Sequence, residues 1–124
     1  MPENICPFCT INRNRLAENH HAFAIDDGFP VSPGHALIIP KAHVLTVFDL
    51  SPDQYAACFD LVRDVQRILQ SKYNPQGFNI GVNCNEAAGQ TVVHAHIHLI
   101  PRYTGDVDNP RGGIRHVIPG KGNY

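Results

Sequence analysis

Apolar and polar residues alternate strictly along residues 94–99, and this alternation is the clearest structural signal in the chain. Three histidines are separated there by apolar residues, in the order His94-Ala95-His96-Ile97-His98-Leu99. Because successive side chains of a β-strand point to opposite faces, the pattern predicts a strand with its imidazoles on one face and its apolar residues packed in a core. Positions two apart on a strand are separated by about 6.6 Å, so the rings would form a row that can contact one extended, charged ligand.

Shorter apolar runs predict the rest of a sheet. Residues 21–25 and 35–40 are each typical of a compact strand, and the second run is stopped by a proline. A turn-rich segment, residues 30–34, connects them, so we expect an antiparallel hairpin. Residues 78–82 form a further predicted strand.

One long amphipathic helix is predicted over residues 51–74. Ser51 is suited to the N-cap, Pro52 to the first helical position, and Gln54 completes a capping box. Pro75 ends the helix, because the residue before a proline is pushed out of the α region. The pattern also allows a short helix over residues 12–18 and a short strand over residues 114–118. Apolar residues at helical spacing form one stripe on the long helix, consisting of Tyr55, Cys58, Phe59, Val62, Val65 and Leu69.

The length and charge of the chain restrict its class. We expect the 124 residues to form one domain, residues 1–124, with a tail from about residue 104 that is rich in glycine, proline and charge. The net charge of −1 gives no electrostatic case for binding nucleic acid or an anionic membrane. Residues 1–4 lack the basic groups of a signal peptide, and no apolar run approaches the roughly 18 residues of a membrane span. We therefore expect a cytoplasmic protein.

Two arginines of the tail leave two interpretations open. Arg111 and Arg115 are either solvated surface charges, which is the usual case for arginine, or contacts to a phosphate group. We favour the surface interpretation.

Residues 6–9 read Cys-Pro-Phe-Cys, the C-x-x-C spacing of a metal knuckle or a redox pair. No predicted strand precedes Cys6, as a thioredoxin-like motif would need, so zinc is the favoured interpretation. A structural zinc ion needs four nitrogen or sulfur ligands, and only two come from Cys6 and Cys9. His43 and His94 are candidates for the other two, although the residues alone do not select them.

The loop over residues 83–91 is polar and rich in small residues. Small residues let backbone N–H groups approach a ligand closely, and such amides form anion-binding concavities. An ordinary hairpin loop is the alternative, but this loop runs directly into the three histidines. We therefore predict a phosphate site, with neutral donors from Asn83, Gln90 and Thr91. Asp27, at the end of the first predicted strand, is either a turn former or a ligand-binding carboxylate.

The row of imidazoles indicates nucleophilic chemistry at phosphorus. A ring whose Nδ1–H is held by a backbone carbonyl presents the lone pair of Nε2 as a nucleophile. His96, the middle ring, is best placed to attack, and water would then open the phosphoramidate. His98, if protonated, can donate to the phosphate or to the leaving oxygen. No acidic cluster indicates Mg²⁺, so we expect no catalytic metal; the outer histidines, roughly 13 Å apart along a strand, are too distant to share one.

The histidine strand and three other segments resemble the histidine triad (HIT) family of nucleotide hydrolases and transferases. Residues 94–100 (HAHIHLI) are similar to the triad signature, and the resemblance extends along nearly the whole chain through residues 33–35 (PGH), 40–43 (PKAH) and 88–92 (AGQTV). It implies an α+β fold with an antiparallel sheet of about five strands, one long helix and one short helix. It also implies a homodimer whose two sheets join into one.

The resemblance also implies roles for individual residues. His96 would be the nucleophile, His98 would contact the phosphate and leaving group, and His94 would orient the site. Asp27 matches the ribose-binding position, which favours the ligand-binding interpretation of that aspartate. Further contacts to the phosphate and leaving group are matched by Asn83, Gln90 and Thr91.

The cysteine pair resembles the zinc-binding microbial members and the galactose-1-phosphate uridylyltransferases rather than the Fhit and Hint branches. In those proteins the second pair of ligands aligns with His43 and His94, so the resemblance implies a structural zinc ion held by these two residues with Cys6 and Cys9. A zinc-bound His94 cannot carry a proton, and its role becomes fixing the strand that presents His96.

The resemblance implies hydrolysis of a nucleotide substrate. Residues 86–106 are most similar to the Fhit-type dinucleoside polyphosphate hydrolases, and the transferases typically carry glutamine where this chain has His98. We expect cleavage at the α-phosphate of a dinucleoside polyphosphate or a nucleoside phosphoramidate, through a covalent nucleotidyl intermediate on His96. The alternatives are a nucleotide-binding signalling protein with negligible turnover and a nucleotidyltransferase.

Overall fold

A computed structural model describes residues 5–124, and residues 1–4, on which part of the signal-peptide expectation rests, lie outside this range. The chain forms an antiparallel sheet of five strands, β1 (Ala17–Glu18), β2 (Ala22–Asp26), β3 (Ala36–Pro40), β4 (Gly77–Gly81) and β5 (Ile97–Arg102). Their order in the sheet is β1-β2-β3-β5-β4. One long helix, α1 (Pro52–Tyr73), connects β3 to β4. The predicted α+β class, the long helix and the β2–β3 hairpin are therefore confirmed.

Helix α1 begins and ends as the sequence predicts. The Ser51 side chain accepts a hydrogen bond from the Gln54 backbone N–H, and the Gln54 side chain accepts one from the Ser51 N–H. Asn74, before Pro75, adopts the left-handed conformation at the C-cap. The buried stripe of α1 differs slightly from the predicted one. Leu61, which was not predicted, is buried, whereas Tyr55, which was predicted, is 41% exposed.

The two faces of the sheet bury different clusters. Ala95, Ile97 and Leu99 pack with the helix on one face, as predicted, in the larger of two apolar clusters. The opposite face carries the histidines and a smaller cluster in which Cys6 and Phe8 cover apolar residues of β2 and β3. The N-terminal segment therefore forms part of the histidine-bearing face.

The histidine strand begins later than predicted. Strand β5 starts at Ile97, so His94 and His96 lie in the segment before it. The reason lies in the register: Ile38 pairs with Ile97, and continuing it would place Pro40 opposite Ala95. Proline has no N–H to donate, and its carbonyl accepts a hydrogen bond from the His94 side chain instead. The Ala95 N–H donates to the Val44 carbonyl.

The predicted short helix over residues 12–18 is wrong. The Leu16 N–H donates to the Ala24 carbonyl, and residues 17–18 pair with β2 as β1. The guanidinium of Arg15 lies 4.2 Å from the centre of the Phe23 ring. Pairing with an existing strand therefore outweighs the weak helical propensity of this segment.

The predicted strand over residues 114–118 is also wrong, because Gly113–Val117 forms a 3₁₀ helix. Gly112, with φ +94°, turns the chain there, and a side chain at this position would collide with the Gly122 carbonyl. Other 3₁₀ turns occupy Val47–Asp49 and Glu86–Ala88. Within residues 5–124, no helix combines the length and the apolar character needed to cross a bilayer.

Candidate active site

A cavity of about 500 Å³ opens on the histidine-bearing face of the sheet. Its walls come from the N-terminal segment, the β2–β3 connection, the loop after β4 and the start of β5. Five residues singled out in the sequence line it together: Asp27, Asn83, Thr91, His96 and His98. Two others, His94 and Gln90, do not line it.

His96 is held by the backbone in a defined orientation. Its Nδ1 lies 2.9 Å from the His94 carbonyl oxygen, which can only accept, so Nδ1–H is the donor. In the neutral ring, Nε2 therefore carries the lone pair. His96 is 7% exposed and lines the cavity. This geometry is the one that a nucleophilic imidazole requires.

His98 is neutral in this environment. Burial is the main cause that lowers the pKa of His98 to about 4, and the neighbouring His96 and His35 lower it further, while Asp27 opposes them. Its Nδ1 lies 2.9 Å from Nε2 of His35. At pH 7 the ring can therefore donate only from an uncharged N–H. The condition under which His98 would donate as a cation, its protonation, is therefore not met at pH 7, because its pKa is lowered.

His35 is a residue of the site to which the sequence analysis assigned no role. It is 3% exposed, lines the cavity, and its Nδ1 accepts a hydrogen bond from the Val31 N–H at 3.1 Å. Its Nε2 also lies 3.3 Å from a carboxylate oxygen of Asp27. Burial lowers the pKa of His35, and Asp27 opposes this shift.

Asp27 is a turn former, and its predicted role as a ligand-binding carboxylate stays a prediction. One carboxylate oxygen accepts from the Phe29 N–H at 2.8 Å, closing a turn. The other faces His35 and lies 3.8 Å from Nδ1 of His98, at the edge of the cavity. The carboxylate therefore closes the turn with one oxygen and places the other at the cavity.

The side chain of Gln90 is hydrogen-bonded to three backbone groups. Its side-chain amide donates to the carbonyls of Leu45 at 2.7 Å and Val92 at 3.0 Å. Its oxygen accepts from the Asn85 N–H at 2.7 Å. Gln90 therefore connects the loop over residues 83–91 to the segment after β3, and its predicted role as a substrate contact stays a prediction.

Arg111 and Arg115 do not line the cavity. Both guanidinium groups lie 4.7 Å from the centre of the Tyr124 ring, and both residues are exposed. Stacking on an aromatic face holds them in the tail.

The predicted zinc ligands come together beside the cavity. Their ligand atoms, from Cys6, Cys9, His43 and His94, all lie within 4.8 Å of one another. The Nδ1 of His43 is 3.1 Å from Cys9 Sγ and from His94 Nδ1, and the Nδ1 of His94 is 3.4 Å from Cys6 Sγ. Tetrahedral zinc, with bonds of about 2.0–2.3 Å, separates such donors by roughly 3.3–3.8 Å. The donor–donor distances of 3.1–3.5 Å lie within or slightly below this range, and thiolate sulfur with imidazole nitrogen is a donor set that zinc prefers, so these residues fit a zinc ion.

His94 connects this cluster to the rest of the site. Its Nε2–H donates to the Pro40 carbonyl at 2.8 Å, which leaves Nδ1 facing the two cysteines. Its own carbonyl orients His96. Phe8, between the two cysteines, packs edge-on against the His96 ring with 5.1 Å between centres and lines the cavity. The metal cluster and the cavity thus share a wall.

Comparisons with known proteins agree with this geometry. A family model described as a HIT domain matches residues 10–105. A HIT-like protein of Mycoplasma pneumoniae is 38% identical over 108 residues, which cover 83% of this chain and 75% of that protein. The crystal structure of a HIT family protein from Bacillus anthracis is similar, with a TM-score of 0.77 and 38% identity over 83% of this chain and 77% of that one. A Zn-bound histidine triad family protein from Mycobacterium smegmatis has a TM-score of 0.77 and 32% identity, covering 85% of this chain and 80% of that one.

Similar proteins also include nucleotide hydrolases. The chain is 40% identical over 77 residues to the asymmetrical bis(5'-nucleosyl)-tetraphosphatase of Schizosaccharomyces pombe, covering 62% of this chain and 42% of that enzyme. It is 38% identical over 105 residues to the adenylylsulfatase HINT3 of Arabidopsis thaliana, covering 81% of this chain and 53% of that enzyme. The chain thus spans about half the length of these two enzymes.

Proposed function

Because the chain belongs to the HIT family, we propose that it is a nucleotidyl hydrolase that cleaves at the α-phosphate through a covalent intermediate on His96. The observation that carries the proposal is the orientation of His96, whose Nδ1–H is held by a backbone carbonyl while the ring lines the cavity. A binding protein needs no such oriented lone pair. The substrates we propose are dinucleoside polyphosphates or nucleoside phosphoramidates. We propose adenine as the base, because the name of one similar enzyme, an adenylylsulfatase, specifies an adenylyl group.

The reaction has two displacements. In the first, Nε2 of His96 attacks the α-phosphorus, and the bond to the leaving group breaks with its electron pair going to that group. In the second, water attacks phosphorus, the N–P bond breaks, and the electron pair returns to Nε2. The products are a nucleoside monophosphate and the remainder of the substrate. Dividing one difficult displacement into two is what covalent catalysis achieves.

The neighbouring residues position the phosphate and ribose. Asn83 and Thr91 line the cavity and supply neutral donors to the phosphate oxygens, while the Asp27 carboxylate accepts from the ribose hydroxyls. His98 contacts the phosphate and leaving group. Phosphoryl-type transition states spread charge over the equatorial oxygens, so positioned donors stabilise them. Gln90 joins these contacts only by giving up its bonds to Leu45 and Val92.

Zinc has a structural role in this proposal. Cys6, Cys9, His43 and His94 would hold the ion, and the bound ion would supply a cross-link between the N-terminal segment and the sheet. His94 fixes the orientation of His96 through its carbonyl, and Phe8 forms a wall of the cavity. The side chains that line the cavity, and not the ion, carry the chemistry.

A homodimer with a continuous sheet is the assembly we propose. Strand β4 lies at one edge of the sheet and β1 at the other, and β4 has five residues against two in β1. An exposed edge strand offers unpaired N–H and C=O groups to a second copy. Light scattering should give twice the mass of one chain, and Ile80→Lys, at a half-exposed position of β4, should shift the protein towards the monomer. A monomeric wild type would contradict this assembly.

The position of bond cleavage tests the proposed activity. Hydrolysis of diadenosine tetraphosphate in H₂¹⁸O should place the heavy oxygen in AMP, because water attacks the α-phosphorus. Label in the polyphosphate product would place the attack elsewhere and contradict the proposal. His96→Ala should abolish turnover, whereas His20→Ala, at an exposed histidine outside the cavity, should not change it. Binding of the nucleotide without turnover would favour the signalling protein, and transfer of the nucleotide to an acceptor other than water would favour the transferase.

A further inference from the structure

The cysteine pair Cys6 and Cys9 lies at the boundary between the metal cluster and the cavity. Pro7 and Phe8, the two residues between the cysteines, both line the cavity. The Phe8 ring packs edge-on against the His96 ring, with 5.1 Å between the ring centres. A change in the separation of the two cysteines therefore moves a wall of the cavity.

The turn that carries the cysteines can close into a disulfide. The Thr10 N–H and hydroxyl both donate to the Cys6 carbonyl, at 3.3 and 3.0 Å, which closes a single turn over residues 6–10. The Sγ atoms of Cys6 and Cys9 lie within 4.8 Å of each other. The Cβ atoms of a disulfide are about 3.8 Å apart, closer than the roughly 5–6 Å of residues three positions apart on a helical turn. Formation of the bond therefore tightens the turn over residues 6–9.

The two thiols differ in their access to an oxidant. Cys9 is exposed, whereas Cys6 is completely buried. An oxidant in solution therefore reaches Cys9 first, and Cys6 can then react with the oxidised sulfur. The other two cysteines, Cys58 and Cys84, pack with the apolar cluster on the opposite face of the sheet. Burial also raises the pKa of Cys58 to about 11, so at neutral pH it is a thiol and not the reactive thiolate.

We propose that Cys6 and Cys9 form a reversible redox switch, in which a peroxide converts the zinc-binding pair into a disulfide, releases the ion and moves the cavity wall. Zinc binds thiolates, which a disulfide no longer offers. The oxidised chain therefore keeps only His43 and His94 of the four ligands. The effect on nucleotide binding rests on the proposed function, whereas the release of zinc does not.

The chemistry takes two steps, with hydrogen peroxide as the oxidant. The Cys9 thiolate attacks one peroxide oxygen, so that an S–O bond forms, the O–O bond breaks and hydroxide leaves. The Cys6 thiolate then attacks the sulfur of this sulfenic acid, so that the S–S bond forms and a second hydroxide leaves. The two sulfurs lose two electrons in total, and the peroxide gains them. A dithiol reductant returns two electrons and two protons and restores the pair.

The switch acts on the cavity wall and leaves the proposed nucleophile oriented. Nε2–H of His94 donates to the Pro40 carbonyl, a contact that needs no metal. The His94 carbonyl still accepts from Nδ1–H of His96. Oxidation should therefore weaken nucleotide binding through the displaced Phe8 and Pro7 more than it changes the orientation of His96.

Zinc release and the disulfide are measured together, without turnover. The zinc-loaded chain is treated with increasing hydrogen peroxide beside a weak colorimetric zinc indicator, and the cysteines are then mapped by mass spectrometry of peptides. We expect one zinc ion released for each Cys6–Cys9 disulfide formed, and full recovery of zinc binding after dithiothreitol and added zinc. Release of zinc without this disulfide, or oxidation of Cys84 before any zinc release, would overturn the proposal.

Cys9→His separates zinc binding from the redox step. The variant keeps a nitrogen ligand for zinc but cannot form the disulfide, so it should retain the ion at peroxide concentrations that empty the wild type. Cys84→Ser is the matched control and should release zinc as the wild type does. Equal zinc release from Cys9→His and the wild type would overturn the proposal. If Cys9→His does not bind zinc, the peptide map of the wild type still decides the question.

Binding of AMP tests the connection to the cavity. Calorimetry at a temperature where both forms are folded should show AMP binding at least about tenfold weaker after oxidation, the contribution expected of one aromatic contact to a nucleotide. Reduced protein stripped of zinc by a chelator is the control and should lose less affinity, because its turn is not tightened. Unchanged affinity after oxidation would overturn the connection. Absence of AMP binding to the reduced, zinc-loaded protein would contradict the proposed function instead, and zinc release would still decide the switch.

Discussion

Removal of zinc should destabilise the fold before it affects the nucleophile. The ion would close two long chain loops, because Cys9 and His43 are 34 positions apart and His43 and His94 are 51 positions apart. The chain-entropy relation for cross-links gives roughly 4 kcal/mol for each loop at 25 °C. The thiolates of the unfolded chain retain some affinity for zinc, which reduces the net effect. A net loss of about 4 kcal/mol corresponds to zinc at roughly 1,000 times its dissociation constant.

For a chain of this size, 1 kcal/mol shifts the melting temperature by about 3–5 °C, so chelation should lower it by roughly 12–20 °C. The assay combines calorimetry with zinc quantification before and after a tight chelator, and a turnover measurement well below the lowered transition. Cys9→Ser should reproduce the shift, and Cys84→Ser, at a cysteine outside the metal cluster, is the matched control. Loss of turnover with an unchanged melting curve would refute the structural role.

Three further predictions concern single residues. The pKa of His98 is about 4 in the folded chain and about 6.5 in the unfolded chain, so the unfolded chain binds more protons between these values and the free energy of unfolding should fall as the pH decreases from 6.5 to 4. His98→Asn should remove at most roughly 3 kcal/mol of this pH dependence, measured by urea unfolding, and an identical pH profile in both proteins would contradict the burial of a neutral ring. Gly34→Ala should lower the free energy of unfolding by about 1–3 kcal/mol more than Gly105→Ala, because only the methyl group added at Gly34 would meet the Tyr73 ring, at 2.9 Å. Both glycines have positive φ, so the backbone strain is matched, and equal losses would contradict the close approach. Gln90→Ala removes the acceptor of the Asn85 N–H, so it should raise the hydrogen-exchange rate of that amide several-fold and also lower kcat/KM. Slower turnover with an unchanged exchange rate would instead make Gln90 a direct substrate contact.

Local chemistry made much of this fold predictable. The capping residues of α1, the proline that follows it and the alternation around the triad each act within a few positions, and the structure follows them. The segment over residues 12–18 was mispredicted because its partner, β2, is a neighbour in the sheet and not part of the local pattern. The start of β5 depends on Pro40, more than fifty positions away, through a register that no local pattern specifies.

The residues of the candidate site likewise include some that local sequence patterns predict and others that only the folded chain reveals. The sequence patterns identified His96 and His98, which face the cavity, and the four candidate metal ligands. His35 lies in the segment 33–35 that resembles the family, but no role was predicted for it, because its contact with His98 spans 63 positions and exists only once β3 and β5 are paired. Gln90 resembles a substrate contact by position, but its bond to the Leu45 carbonyl, 45 positions away, becomes visible only in the folded chain.

Detection of the covalent intermediate tests the central claim most directly. Wild-type protein and His96→Ala would be mixed briefly with diadenosine tetraphosphate, quenched under mild conditions that preserve a phosphoramidate, and analysed by intact-protein mass spectrometry. A wild-type adduct with the mass of one AMP, absent from His96→Ala, is the predicted result, and His98→Ala should increase its amount if it slows breakdown. An adduct of equal amount in His96→Ala would contradict the assignment of the nucleophile.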